Sequence, residues 1–258
     1  MRGQVRLLGS LHVAIERRVV RLTSPRECVV FAGLAMRAGE TTSHDQLCQA
    51  LWSENWSAKR DGAYRPAVSR LRKSLGHDGL VVRESFGYRL AMNPDDIDVL
   101  AFEALVAASG TATSPAGWQR TLGLLTRAVS LWRGAPFAGI PSDYLRREHG
   151  HRLQAQFSLV RAKRAEAVIR ISPPRGSVEV LQDLECLIRE NPGDEHLRWL
   201  LMLALHRSGR QVESLAAYRD AWRYCDRKLG VRPGQDLQNL NKRVLCGDPD
   251  LMQTPFID

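Results

Sequence analysis

The hydrophobic period of this chain changes after Asn93-Pro94, and this change constrains the fold more than any other feature of the sequence. Before it, segments with strand-like alternation and segments with helical spacing follow one another; after it, only helical spacing remains. The 258 residues are enough for two domains that each bury a core. We therefore predict a mainly α fold with two domains, residues 1–92 with mixed α and β structure and residues 93–258 with helices alone.

The strands and the first two helices of the N-terminal part have clear sequence signals. Residues 4–22 alternate apolar and polar side chains in short segments, which is typical of strands. Ser24–Glu27 predicts the start of the first helix, with serine at the N-cap, proline at the first helical position and a capping box completed by the glutamate. Ser43, with Gln46 three residues later, predicts the start of the second helix.

A third helix and a hairpin complete the N-terminal part. Helical spacing over residues 62–75 ends at Gly76, a favourable residue for a helix C-terminus. Two short apolar segments then flank a turn through Glu84–Gly87, which predicts a β-hairpin. Strands, three helices and a hairpin in this order predict a winged helix-turn-helix domain.

The C-terminal part consists of helical segments separated by Gly, Pro or polar residues. The predicted helices cover residues 96–108, 117–133, 142–171, 177–190, 195–208, 211–229 and 233–246. A repeat of 34 residues aligns 161–194 with 195–228, which is the length of a tetratricopeptide unit. Since a helix pair cannot bury its own apolar face, such units stack, and we predict an all-helical tetratricopeptide-like domain.

Basic residues are concentrated in the N-terminal part. Residues 1–92 carry 15 basic and 8 acidic side chains, whereas residues 93–258 carry 22 and 20. A local positive field favours a phosphate backbone, because binding then releases condensed counterions. Only five of the 37 basic residues are lysine, so a solvated basic surface from an arginine-rich genome also accounts for the excess.

The third predicted helix has one apolar and one polar face. With 100° per residue, four side chains fall within about 60° of one another and form the core stripe: Tyr64, Val68, Leu71 and Leu75. The opposite face carries Pro66, Ser69, Arg70 and Lys73, with Arg65 and Arg72 on its flanks. Arginine and serine are donors that DNA recognition uses at bases and phosphates, and a helix fits the major groove. An ordinary amphipathic helix with a basic solvent face is the alternative.

The sequence carries no signal for an enzyme, a cofactor or a metal site. We find no Ser-His-Asp arrangement, GxSxG, P-loop or GxGxxG after a strand, and His149 and His151 have no further ligands nearby. The five cysteines form no CxxC pair, which is typical of buried thiols in a reducing compartment. No run of 18 apolar residues predicts a membrane span, so we expect a cytoplasmic protein without a membrane partner.

Several motifs identify a family by their sequence and their order. They are Leu47–Trp52, Val68–Gly76, Val82-Arg83 with Phe86–Leu90, Ala128–Gly134, Leu201–Gln211 and Leu229–Gly234. The second and third resemble an OmpR-type winged helix. Together, over about residues 4–250, the motifs resemble the Streptomyces antibiotic regulatory proteins.

The resemblance implies a function as well as a fold. The N-terminal domain would bind double-stranded promoter DNA at direct repeats, as a homodimer on DNA, and the C-terminal part would be a bacterial transcriptional activation domain. Such regulators recruit RNA polymerase holoenzyme to secondary-metabolite gene clusters. By position, Arg70 and Arg72 match the DNA-contacting arginines of the family's recognition helix.

Pro66 departs from the family pattern, which has a helix-compatible residue facing the bases at this position. Five positions into the predicted helix, proline removes a backbone hydrogen bond and clashes with the preceding turn. We therefore expect the first turn to be irregular or the helix to begin later. Pro66 then either touches a thymine methyl group or is a tolerated kink.

The resemblance also assigns contacts outside the third helix. In the hairpin, Arg83 and Arg89 are candidate phosphate contacts, and Tyr88 either packs under the hairpin or touches DNA. The loop between the second and third helices matches the family loop that meets polymerase, and its candidate contacts are Trp56, Ser57 and Lys59. Trp56 packing against its own domain is the alternative.

Two other functions use the same fold. One is a helical scaffold or ligand sensor that the DNA-binding domain only tethers, and its mark would be a concave pocket within residues 97–246. The other is a repressor, because the sign of regulation depends on operator position.

Overall fold

The computed structural model describes residues 3–53, 64–77, 79–173 and 176–253. Within them, helices predominate and two three-stranded antiparallel sheets are present, which confirms the predicted mainly α fold. The chain divides into two compact units, Met1–Ala107 with Arg127–Phe157, and Ala108–Thr126 with Ser158–Asp258. The first unit thus holds the predicted N-terminal domain and a part of the predicted C-terminal one, and the division at residue 93 stays a prediction.

The first sheet is an antiparallel meander at the N-terminus. Its strands are β1 (Gly3–Arg6), β2 (His12–Ile15) and β3 (Arg18–Val20), in that order. Val5, Val13 and Ile15 alternate with more exposed neighbours and are buried, as the period-two pattern predicts. The prediction of strands within residues 4–22 is confirmed.

Three helices follow, α1 (Pro25–Ala35), α2 (His44–Trp52) and α3 (Arg65–Leu75). The capping box at Ser43 is confirmed, since Ser43 Oγ accepts from Gln46 N and Gln46 Oε1 accepts from Ser43 N. The capping box at Ser24 is wrong: Ser24 is the N-cap of α1, but its side chain makes no capping hydrogen bond. The Glu27 side chain is buried and its carboxylate is turned to α3 instead.

The hairpin belongs to the second sheet, whose order is β4 (Thr41–Ser43), β6 (Gly87–Leu90) and β5 (Val81–Glu84). Glu84 pairs with Gly87, so the turn consists of Ser85 and Phe86. The sequence pattern did not predict β4, a three-residue strand that leads directly into α2.

The first unit continues into helices beyond residue 93. Its α4 (Asp98–Ala108) begins with a buried carboxylate that accepts from the backbone N–H groups of Leu7 at 2.7 Å and Leu8 at 3.0 Å. Burial raises the pKa of Asp98, and these two hydrogen bonds and Arg133 oppose the rise. The predicted helix 142–171 is present as α6 (Asp143–Leu145), a π turn (Arg146–Gly150) and α7 (His151–Ile171).

The second unit is helical in its described residues. Beside parts of α5 (Pro115–Ser130) and α7, it contains α8 (Leu181–Glu190), α9 (Glu195–Arg207), α10 (Gln211–Tyr224) and α11 (Gln235–Leu245). The 34-residue repeat agrees with its core, because the aligned pairs Val168 and Met202, and Leu187 and Ala221, are buried. Gly209 turns the chain between α9 and α10 at φ +79°, a conformation that favours glycine.

Candidate nucleic-acid interface

The two faces of α3 are those that the sequence predicts. Tyr64, at the N-cap, and Val68, Leu71 and Leu75 are buried at 0–3% exposure. The side chains at the surface include Arg65, Pro66, Ser69, Arg70 and Lys73. The apolar face of α3 anchors the helix in the core. Its polar, basic face is therefore exposed to solvent.

Pro66 occupies the second position of α3, because the helix begins at Arg65. The first four N–H groups of a helix have no partner within it, so proline loses no helical hydrogen bond here. Of the two expectations, the later helix start is the one observed.

Arg70 lies beside a buried carboxylate. Its Nε is 3.9 Å from Glu27 Oε1, and the Arg70 side chain is 56% exposed while that of Glu27 is 5% exposed. Ser74 Oγ, one turn further along α3, donates to Glu27 Oε2 at 3.2 Å. Glu27 thus contacts α3 through the Ser74 hydroxyl and attracts the Arg70 guanidinium at its Nε, while more than half of the Arg70 side chain remains exposed.

Arg72 connects α3 to the hairpin. Its Nε and Nη2 donate to the carbonyl oxygen of Val81 at 2.9 and 2.7 Å, and its guanidinium lies 5.6 Å from the centre of the Tyr88 ring. The side chain is half-buried. Arg72 therefore fixes the hairpin against the helix, and its contact with DNA stays a prediction.

Tyr88 belongs to an aromatic cluster under the hairpin. His44 stacks on Tyr64 with ring centres 5.2 Å apart, and the Tyr88 ring meets Tyr64 edge-on at 6.1 Å. Tyr88 is buried, so of the two expected roles the structure shows the packing one. The cluster joins the starts of α2 and α3 to β6.

The two hairpin arginines differ in their surroundings. Arg83 is exposed, whereas Arg89 is half-buried and its Nε lies 3.0 Å from Glu84 Oε1. Phe86 stands at the tip of the turn and is 81% exposed. The candidate polymerase contacts Trp56, Ser57 and Lys59 lie outside the described residues.

The part of the chain that the structure describes contains no group of His, Cys, Asp and Glu side chains arranged to hold a metal ion. Its helices are all too short or too polar to cross a membrane.

The family comparison agrees with the geometry. A model described as "Bacterial transcriptional activator domain" matches residues 97–245, more than half of the chain. The chain belongs to this family. The resemblance to the Streptomyces antibiotic regulatory proteins is thereby confirmed.

Named members of the family match nearly the whole chain. "Regulatory protein AfsR" of Streptomyces coelicolor is 33% identical over 96% of this chain, and "Regulatory protein DnrI" of Streptomyces peucetius is 27% identical over 96%. The chain spans 24% of the length of the first and 94% of the second. It spans 23% of AfsR from Streptomyces griseus.

A solved structure of the family has the same fold. The structure titled "Mycobacterium tuberculosis EmbR in complex with low affinity phosphopeptide" superposes with a TM-score of 0.81 at 29% identity. The similarity covers 96% of this chain and 66% of the EmbR chain.

Sequence reasoning missed the residues that hold the α3 face in place. Glu27 was assigned to local capping, and Ser74, 47 positions away, had no assigned role. His44, which stacks on Tyr64, also had no assigned role.

Proposed function

We propose that this chain is a sequence-specific DNA-binding transcriptional activator of a secondary-metabolite gene cluster, such as one for an antibiotic. The observation that carries the proposal is the exposed face of α3, with Ser69, Arg70 and Lys73 at the surface of a well-anchored helix. Arginine forks match guanine edges, and lysine and serine match phosphates or bases, once the helix lies in the major groove.

The proposed contacts divide by role. Arg65, Pro66, Ser69, Arg70 and Lys73 face the major groove. Arg83, Arg72 and Arg89 approach phosphates beside the major groove. Arg72 donates only two of its five N–H groups to the Val81 oxygen. Arg89 leaves its ion pair with Glu84 when it binds a phosphate. Tyr88 supports the hairpin from below.

The partners follow from the family. The N-terminal domain, residues 1–92, binds promoter direct repeats as a homodimer on DNA. The loop with Trp56, Ser57 and Lys59 and the helical domain, residues 93–258, recruit RNA polymerase holoenzyme in the cytoplasm. The basic excess of residues 1–92 supports this division of labour.

Run-off transcription with purified polymerase holoenzyme tests the proposal. The template carries a promoter from the neighbouring gene cluster, and no small molecule is added. We expect the protein to raise the transcript level and the Arg70→Ala, Lys73→Ala double variant to lose this stimulation. An unchanged transcript level contradicts the proposal, and a lower one indicates a repressor.

One observation favours a ligand sensor as a second candidate. A cavity of about 470 Å³ opens beside α9 and α11, lined by Trp199 and by charged side chains that include Arg170, Glu195, Asp236 and Arg243. This volume is within the range of small-molecule sites, about 300–1,000 Å³. Stimulation that appears only after addition of a cell extract's small-molecule fraction would favour this candidate.

A further inference from the structure

The cavity of about 470 Å³ in the second unit has an aromatic wall. Residues from the end of α7, the start of α9 and α11 form it. Its wall includes the rings of His196 and Trp199, one turn apart on α9, whose planes are 7° from parallel with centres 6.3 Å apart. Leu237 and Leu240 of α11 are buried and also line it. The cavity therefore offers a flat aromatic and apolar surface to the ring of a small molecule.

Both arginines of the cavity are balanced by carboxylates that lie outside its lining. Arg170 Nε is 2.9 Å from Glu166 Oε1, one turn earlier on α7. Arg243 Nε is 2.7 Å from Asp248 Oδ2. Because each positive charge already has a carboxylate beside it, the two arginines attract an added anion only weakly.

The two carboxylates that line the cavity form no ion pair within the described residues. Glu195 Oε2 accepts from Gly234 N at 2.7 Å, and Glu195 Oε1 lies 4.0 Å from the Cys225 thiol, so both contacts are with neutral groups. Asp236 is exposed in the first turn of α11. The lining thus carries two negative charges that are not matched as the arginines are.

Two other positive groups near these carboxylates do not cancel their charge. Arg198, one turn after Glu195, directs its guanidinium to the Pro192 carbonyl oxygen and to the Tyr224 ring instead. The N-terminus of α11 carries about half a positive charge, which is less than the charge of the two carboxylates together. The charges around the cavity therefore favour a cation.

We propose that this cavity binds a small organic cation with an aromatic ring, such as a protonated arylalkylamine. The ring stacks on Trp199, and the ammonium group approaches the carboxylates of Glu195 and Asp236. A cation near the face of a tryptophan ring gains a further electrostatic attraction. The proposal rests on the ligand-sensor candidate for the location of the site and adds the chemical class of the ligand; it does not depend on DNA reading by α3.

Titration with two probes that share a ring and a linker but differ in charge tests the proposal. Phenethylamine is protonated near neutral pH, whereas phenylpropionate is an anion. NMR of the isotope-labelled full chain follows the indole N–H signal of Trp199, which is identified by its absence from the Trp199→Leu variant. We expect phenethylamine to shift this signal with a Kd of about 1 mM and phenylpropionate to bind about tenfold more weakly.

Charge variants test the role of the two carboxylates. Glu195→Gln keeps an oxygen that accepts from Gly234 N but loses the charge, and Asp236→Asn loses a charge at an exposed position. The double variant should bind phenethylamine about tenfold more weakly and lose the preference for it over phenylpropionate. Glu179→Gln, which removes an exposed carboxylate outside the lining, is the matched control and should bind as the parent does.

An aromatic variant tests the role of the ring. Trp199→Leu keeps an apolar side chain but removes the flat face, so phenethylamine should bind about threefold to tenfold more weakly in ligand-observed NMR. Trp222→Leu, at a tryptophan of α10 that is 44% exposed and outside the lining, is its control. If Trp199→Leu fails to fold, the charge variants and the two probes still decide.

Several results would overturn the proposal: equal or tighter binding of phenylpropionate by the parent, an unshifted Trp199 signal at about 10 mM phenethylamine, or a charge double variant that binds as the parent does. The titrations contain neither DNA nor polymerase. A failure of the run-off transcription test therefore leaves this proposal standing, and a failure of the titrations leaves the proposed activator function standing.

Discussion

A single buried carboxylate sets the environment of the central arginine of α3. Glu27 accepts from Ser74 and lies 3.9 Å from Arg70 Nε, so a negative charge is kept beneath a surface that we propose to meet phosphates. If α3 reads DNA as proposed, we expect this charge to lower the general attraction of α3 to DNA and to restrict the directions in which Arg70 extends. Glu27 would then be a positioning residue that favours sequence preference over affinity.

Glu27→Gln tests this role. The amide oxygen still accepts from Ser74, but the charge beside Arg70 is gone, so Arg70 reaches phosphates of any sequence more easily. We expect the ratio of promoter to random-duplex affinity to fall about twofold to fivefold, which is the range of a partly exposed ion pair. Competition binding measures the ratio. Glu40→Gln is the matched control, because Glu40 forms an exposed ion pair with Arg37. An equal ratio of promoter to random-duplex affinity in both variants would refute the role of Glu27.

Arg72 connects α3 to the hairpin through its hydrogen bonds to the Val81 oxygen. Arg72→Lys keeps the charge but cannot direct two N–H groups at the Val81 oxygen, so we expect a loss of about 1–3 kcal/mol in the free energy of unfolding. Urea denaturation measures it, with Arg83→Lys as control. Equal stability of the two variants would show that the Val81 contact contributes nothing.

At the scale of elements, helix phase, the starts of α1 and α2 and the end of α3 were predictable, whereas the start of α3 and the strand β4 were not. The buried side chains of α3 repeat at helical spacing, and the sequence displays this spacing directly. The short strand β4 left no pattern, because three residues hold too little alternation and Ser43 also caps α2. The Glu27 contact with Ser74 is tertiary, so a local capping rule at Ser24 could not reveal it.

Gly87→Ala tests how tightly β4 and β6 are joined. The new Cβ atom would lie 1.9 Å from Thr42 O, and the strands must separate to admit it. We expect a loss of about 2–3 kcal/mol in the free energy of unfolding, the range for an overpacked site. Gly79→Ala, where nothing lies within 4 Å of the added atom, should stay within about 1 kcal/mol of the parent. Similar midpoints for the two variants in urea denaturation would contradict the close packing.

At the scale of the whole molecule, the two predicted sequence domains and the two compact units differ in their bounds. Periodicity divides the chain where strands end, whereas the compact units are divided where few contacts cross. Asp98 illustrates the difference, because it begins a helix of the all-helical part and yet binds the backbone of Leu7 and Leu8. Contacts between residues 90 positions apart have no local signature.

The stability of the molecule should fall in mild acid. Burial lowers the pKa of His206 below its ordinary 6.5, and Asp248 opposes this only in part. The unfolded chain therefore takes up a proton near pH 6.5 before the native protein does, so the free energy of unfolding decreases as pH falls from 6.5 to the lowered native pKa. The pKa of His149 is lowered in the same sense.

Urea denaturation at pH 7.5 and pH 5.5 measures this dependence. We expect His206→Gln to lose less stability between the two pH values than the parent does, with His149 accounting for part of the remainder. An identical decrease in parent and variant would show that His206 takes no part in it.

The central claim is that the exposed face of α3 reads promoter DNA, and the affinity of Arg70→Ala and Arg72→Ala for the promoter duplex tests it most directly. Arg70→Ala should cost about 1–3 kcal/mol at the promoter duplex, because its side chain contacts bases, while affinity for random duplex changes much less. Arg72→Ala removes a phosphate contact and should weaken binding to both duplexes alike. The parent should lose affinity steeply as salt rises. Promoter affinity that is unchanged in both variants would contradict the account.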